Sequence, residues 1–145
     1  MIGLKMRVLI LKSNNFTFSI LFKDNSKYVI KGENGIGKST FIKAILNIVK
    51  YDGEINVNGR ISYAPDSTTM PTYMSVYKFI KTFSTLTNDI DEFDLKLDKY
   101  LEYFGLEEKF KEYSLGSLSK GQKQKVNLIQ AFISESEILF LDEPL

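Results

Sequence analysis

Gly32 to Thr40 reads G-E-N-G-I-G-K-S-T and fits the pattern G-x-x-x-x-G-K-[ST], a spacing suited to gripping a polyphosphate. Gly32 and Gly37 let the backbone take positive φ, so successive amide N–H groups can point inward as an anion nest. A helix starting near Lys38 adds its unpaired first-turn N–H groups and the positive end of its dipole. The Lys38 ammonium is placed to reach the β- and γ-phosphates of such a ligand, and the Ser39 hydroxyl is a ligand type for Mg²⁺. A glycine-rich turn with a chance lysine is the plainer reading. The β-prone run before the loop and the helical period after it favour the phosphate site.

Two more stretches carry residue types with chemistry. Ile138 to Pro144 reads I-L-F-L-D-E-P, an apolar run suited to a buried parallel strand, with acids at its carboxyl end where such sheets bind ligands. Asp142 is the candidate holder of a hydrated Mg²⁺, and Glu143 the candidate group to orient or deprotonate an attacking water. A strand ending in two solvated acids is the alternative. Leu118 to Gln122 reads L-S-K-G-Q. Ser119 as N-cap with Gln122 three residues on is a capping box, and a capped helix start is itself an anion site, so both readings stand together.

The elements that must position these residues follow from pattern. Met6–Lys12 and Phe16–Phe22 read as strands with a turn at Ser13-Asn14-Asn15, and Lys23 to Ser26 turns into a strand at Lys27–Lys31 that feeds the phosphate loop. A helix follows through Phe41–Val49. Strands are expected at Glu54–Val57, between the turns Asp52-Gly53 and Asn58-Gly59, and at Ile61–Ala64 before Pro65. Asp66 to Tyr73 reads as a surface loop. Val76, Phe79, Ile80 and Phe83 form one helical stripe, and Phe93, Leu97, Tyr100, Leu101 and Phe104 a second that Gly105 ends. A third helix is expected from about Lys120 to Ser134 with Val126, Ile129 and Ile133 inward, then a strand at Ile138–Leu141. The stripes read as core faces rather than cofactor contacts.

Composition bounds the function. A chain of 145 residues suggests one domain, and 43% hydrophobic residues suffice for a core. A net charge of +1 gives no support for nucleic acid as a partner. With 0 Cys and 0 His, disulfides, thiolate or imidazole zinc sites and histidine catalysis are excluded from this stretch. Met1–Leu11 is interrupted by Lys5 and Arg7, unlike a signal peptide, and no apolar run approaches the roughly 20 residues of a membrane helix, so a soluble chain is expected.

In this order and spacing the three motifs resemble the ATP-binding cassette (ABC) family of ATPases, with G-E-N-G-I-G-K-S-T as Walker A, L-S-K-G-Q-K-Q-K as the signature and I-L-F-L-D-E-P as Walker B. The resemblance implies an α/β fold: a P-loop NTPase (RecA-like) core with a small N-terminal antiparallel β part and an inserted α-helical subdomain over about 76–115, incomplete at the C-terminus. It implies one nucleotide-binding domain over 1–145. It assigns ATP and Mg²⁺ as cofactors, with Asn34, Gly35, Gly37, Lys38, Ser39 and Thr40 on the nucleotide. Ser39, Asp142 and Asp66 go to the metal, and Glu143 to catalysis. It further implies a head-to-tail dimer, with itself or another ABC domain, in which Ser119, Gly121 and Gln122 of one copy meet the nucleotide of the other. Transmembrane transporter subunits would then hold the chain at the cytoplasmic face of the membrane, coupling ATP to transport.

The sequence departs from the family in several places. Lys120 replaces the usual middle glycine of the signature. Asp66 stands where the Q-loop glutamine belongs, and as a turn residue after proline it has an equally good structural role. Phe16 is the candidate adenine-stacking residue, with a core role the alternative. The sequence stops at Leu145 without the D-loop and switch histidine of the family. From that departure a nucleotide-binding module or a domain remnant without turnover is the alternative to a transporter ATPase, and weak hydrolysis by the isolated chain is expected.

Overall fold

The computed structural model describes residues 7–13, 16–22, 26–33, 35–52, 55–66, 69–86 and 91–142. The chain divides into two compact units, Met1–Asn58 and Gly59–Leu145.

In the first unit, β1 (Arg7–Ser13) pairs antiparallel with β2 (Phe16–Phe22), from Arg7 opposite Phe22 to Ser13 opposite Phe16. This is the hairpin expected from the two β-prone runs; its turn at Asn14-Asn15, and the turn at 23–25, lie outside the described residues. The strand expected at Lys27–Lys31 is not formed. Tyr28, Val29 and Ile30 are exposed and carry no ladder among the described residues. β-propensity spans only about 1 kcal/mol and records packing against neighbours, so a β-prone run without a partner strand stays irregular.

The helix after the phosphate loop, α1, runs Lys38–Ile45. It ends four residues short of the expected Val49 because Asn47 turns to φ 58. The Asn47 N–H then donates to the Ala44 carbonyl at 3.0 Å and the Ile48 N–H to Lys43 at 2.8 Å. Those two bonds are the Schellman closure, with asparagine in the left-handed position usually given to glycine. Among the described residues the run expected as a strand at 54–57 shows only a bridge residue at Ile55, with another at Asp52; 53 and 54 lie outside the described residues. Ile55 and Val57 keep the half-buried alternation around exposed Asn56.

The second unit holds β3 (Ile61–Ala64), α2 (Val76–Ser84), α3 (Phe93–Tyr103), α4 (Lys120–Ile133) and β4 (Ile138–Leu141), with two 3₁₀ turns at Glu108–Glu112 and Leu115–Ser117. The Ser75 hydroxyl caps α2 by accepting from the Lys78 N–H. Gly105, at φ 64, ends α3 as the sequence anticipates: its N–H donates to Glu102 and that of Leu106 to Leu101. Val76, Phe79 and Ile80 are buried as expected, but Phe83 is 42% exposed. It sits in the last turn of a nine-residue helix and lies against the Phe79 ring, 4.7 Å between centroids, at the edge of the core.

α4 is the axis of this unit. Val126, Ile129 and Ile133, all at 0% exposure, join the α2 and α3 stripes in the main core. Leu128 and Ala131, on another face, pack on Ala64 of β3. The pairing of β3 with β4 is parallel, Ile61 opposite Ile138 through Ala64 opposite Leu141. Parallel strands need a crossover, and α2 to α4 supply it. Lys125 ties α4 to α3 by donating to the Phe104 carbonyl at 2.7 Å. No helix among the described residues is long and apolar enough to cross a membrane.

Candidate nucleotide site

The phosphate loop belongs to the first unit. Gly35 and Gly37 take φ 83 and 105, and a Cβ built on either would meet nothing within 4 Å. Their glycine identity therefore serves the backbone turn rather than local packing. Gly32 differs from expectation: its φ is not positive, and its added Cβ would come 2.9 Å from the Ile36 side chain, so close packing rather than a left-handed turn calls for glycine there. Lys38 folds back along the loop, donating to the Gly32 carbonyl at 2.9 Å and the Glu33 carbonyl at 3.0 Å. An ammonium has three protons, so one remains for an anion.

α1 starts without a side-chain cap at Gly37, and its first helical bond runs from the Phe41 N–H to the Gly37 carbonyl at 2.8 Å. The N–H groups of Lys38, Ser39 and Thr40 precede that bond, the usual orphan donors of a helix start. An uncapped helix start, two left-handed glycines and a lysine held across the loop suit a polyphosphate. Asn34 lies outside the described residues.

The remaining candidates belong to the second unit. Asp142 follows β4 and is 7% exposed. Its N–H donates to the Ala64 carbonyl at 2.9 Å, and its Oδ2 accepts from the Tyr63 hydroxyl at 3.3 Å. Burial, then the Asp142 charge and the hydrogen bond to it, push the Tyr63 phenol up to about 12, and the Asp66 charge adds to this. The phenol therefore stays a donor at any ordinary pH. Asp66, half-buried beyond Pro65, shares this strand end. A buried carboxylate with a second one nearby is an oxygen donor set that suits a hard cation such as Mg²⁺. Among the described residues no group of three or more acidic side chains is gathered as a metal cage. Mg²⁺ usually keeps several waters and needs only one or two carboxylates beside phosphate oxygens. Glu143, the catalytic candidate, lies outside the described residues, as does the side chain of Phe16.

At the start of α4 the capping box is complete. Ser119 Oγ accepts from the Gln122 N–H at 3.3 Å, and Gln122 Oε1 accepts from the Ser119 N–H at 2.9 Å. A hydroxyl that accepts still has its proton to donate, so Ser119 can cap the helix and meet an anion together. Gly121 is exposed with open space around its Cα.

The Tyr63 hydroxyl on the candidate Asp142 is a contact that sequence reading missed. Its signal was present, since two apolar strands that pair in parallel with Ala64 opposite Leu141 place Tyr63 and Asp142 on one face. That register is not readable from either strand alone.

The family model described as ABC transporter matches residues 14–145. Zinc import ATP-binding protein ZnuC of Rickettsia bellii is 33% identical over 141 residues, covering 91% of this chain and 55% of that protein. Manganese transport system ATP-binding protein MntB of Halalkalibacterium halodurans is 32% identical over 130 residues, covering 79% of this chain and 52% of its own length. The chain thus spans about half the length of these curated relatives. Among solved structures, cbiO1 of Clostridium perfringens, part of the ABC transporter complex cbiONQ, superposes with a TM-score of 0.65 at 23% identity, over 96% of this chain and 65% of that one. That likeness speaks for the fold, a P-loop NTPase with mixed strands and helices. With the family match extending over all three motifs, the chain belongs to the ABC transporter family.

Proposed function

We propose that this chain is the ATP-binding subunit of an ABC transporter, a single nucleotide-binding domain over 1–145 with its helical subdomain at about 76–115. The observation that carries the reading is the phosphate loop: Lys38 bonded across to Gly32 and Glu33, beside left-handed Gly35 and Gly37 and an uncapped α1. The nucleotide phosphates are bound by Asn34, Gly35, Gly37, Lys38, Ser39 and Thr40, through loop and helix-start N–H groups and the remaining proton of the Lys38 ammonium. Ser39, Asp142 and Asp66 are the residues that would hold Mg²⁺. Mg²⁺, when bound, neutralises charge on the β- and γ-phosphates. Glu143 orients the attacking water or takes its proton.

Ser119, Gly121 and Gln122 act on the nucleotide of a second cassette, this chain's own copy or another ABC domain. Closure of that head-to-tail dimer therefore follows ATP, and membrane-spanning transporter subunits at the cytoplasmic face would receive the motion. For the chain by itself we expect ATP binding with little steady-state hydrolysis. A turnover of about 1 s⁻¹ or more that Glu143→Gln abolishes would contradict this.

A thermal-unfolding titration with Mg-ATP tests the reading, the parent against Lys38→Ala. A specific ligand at a hundredfold excess over Kd stabilises by about 2.7 kcal/mol. A dose-dependent rise in the parent that Lys38→Ala loses is the expected result. A transition indifferent to ATP in the parent, or an equal rise in Lys38→Ala, would overturn it.

A further inference from the structure

The Tyr63–Asp142 contact follows from strand register rather than from any motif. Tyr63 stands opposite Phe140, and Asp142 comes two residues after Phe140. Side chains two apart share a face, so Tyr63 and Asp142 project from the same side of the two-stranded sheet. Ala64, on the other face, is the residue that packs on α4. β3 therefore holds Asp142 twice, its backbone through the Ala64 carbonyl at 2.9 Å and its carboxylate through the Tyr63 hydroxyl at 3.3 Å. A phenylalanine ring would occupy the same space, so packing alone does not call for the hydroxyl.

We propose that Tyr63 is a positioning residue for the metal-binding carboxylate: its hydroxyl, donating to Asp142 Oδ2, fixes the rotation of that carboxylate and leaves the other oxygen for the hydrated cation. This rests on the reading of Asp142 given under Proposed function. Carboxylates that serve metals are themselves oriented by hydrogen bonds from an outer shell, and loss of such a partner typically costs about 10–100-fold in metal affinity. Tyr63 supplies that bond from β3, the strand beside β4.

The test is Tyr63→Phe in the full chain, with ATP affinity measured by calorimetry with and without Mg²⁺, and Mn²⁺ affinity of the ADP-loaded protein followed by electron paramagnetic resonance. Metal-free ATP should bind as it does to the parent. The gain from Mg²⁺, and the Mn²⁺ affinity, should fall by about tenfold or more. Asp142→Asn should lose the same gain, and Tyr63→Phe added to Asp142→Asn should cost nothing further, because both changes act on one contact.

Three results would overturn the inference. If Tyr63→Phe keeps the full Mg²⁺ gain while Asp142→Asn loses it, Tyr63 does not position the carboxylate and the metal role of Asp142 stands. If Asp142→Asn keeps the gain, the metal reading falls and the inference with it. If Tyr63→Phe weakens metal-free and Mg-bound ATP alike, or abolishes the cooperative thermal transition, the hydroxyl serves the fold.

Discussion

Lys120 replaces a glycine that the backbone at this position does not require. It is the first residue of α4, exposed and helical. A side chain there costs no left-handed strain. Gly121 is in the same situation: its φ is not positive and a Cβ would meet nothing within 4 Å. Glycine in a helix is worth about 0.5–1 kcal/mol less than alanine. Gly121→Ala should therefore raise the stability of the chain by about that amount in urea denaturation, while weakening any ATP-dependent association of two copies. Gly37 is the contrast. At φ 105 it sits where side chains rarely go, so Gly37→Ala should lower stability by about 1–3 kcal/mol, and calorimetry should show weaker ATP binding as the loop relaxes out of shape. The Ser119 cap was legible in the sequence because its partner, Gln122, lies within one turn. Tyr63 was not, because its partner is 79 positions away.

At the scale of elements, helix ends are set by short-range bonds and strands by distant ones. Ser119→Ala removes the acceptor for the Gln122 N–H and should cost about 1 kcal/mol in chemical denaturation. Glu137 secures the start of the parallel pair: its Oε2 accepts from the Arg60 N–H at 2.7 Å and lies 3.4 Å from Arg60 Nε. Hydrogen bonds from its own N–H and from that of Arg60 hold the Glu137 carboxyl below its ordinary 4.5. A carboxyl lowered in the folded state contributes stability that is present above about pH 4.5 and is lost as pH falls through the folded value. Glu137→Gln should accordingly flatten the acid side of the stability–pH curve below about pH 4.5, read by thermal melts across that range. The same division explains what pattern could show. α2, α3 and α4 were legible from period, cap and terminal glycine, which are all local. The runs at 27–31 and 54–57 have the composition of strands but carry no ladder among the described residues, and composition alone does not make one.

At the scale of the molecule, the second unit is built around one helix with two apolar faces. Sequence pattern showed the face of Val126, Ile129 and Ile133; the face of Leu128 and Ala131 became visible only with Ala64 against it. Ile129→Ala should cost about 2–5 kcal/mol in urea denaturation, since the fully buried side chain is met from α2 and α3 and cannot be refilled easily. From Gln124 to Ile133 no residue of α4 is exposed, whereas Lys120 and Gly121 are. Sequence drift is confined accordingly. Along the body of the helix a change must be matched by another in the helices or the sheet before it is tolerated. At the tip a single replacement should leave the packing undisturbed. The surface at the start of α4 can thus be altered one residue at a time without disturbing the scaffold beneath it.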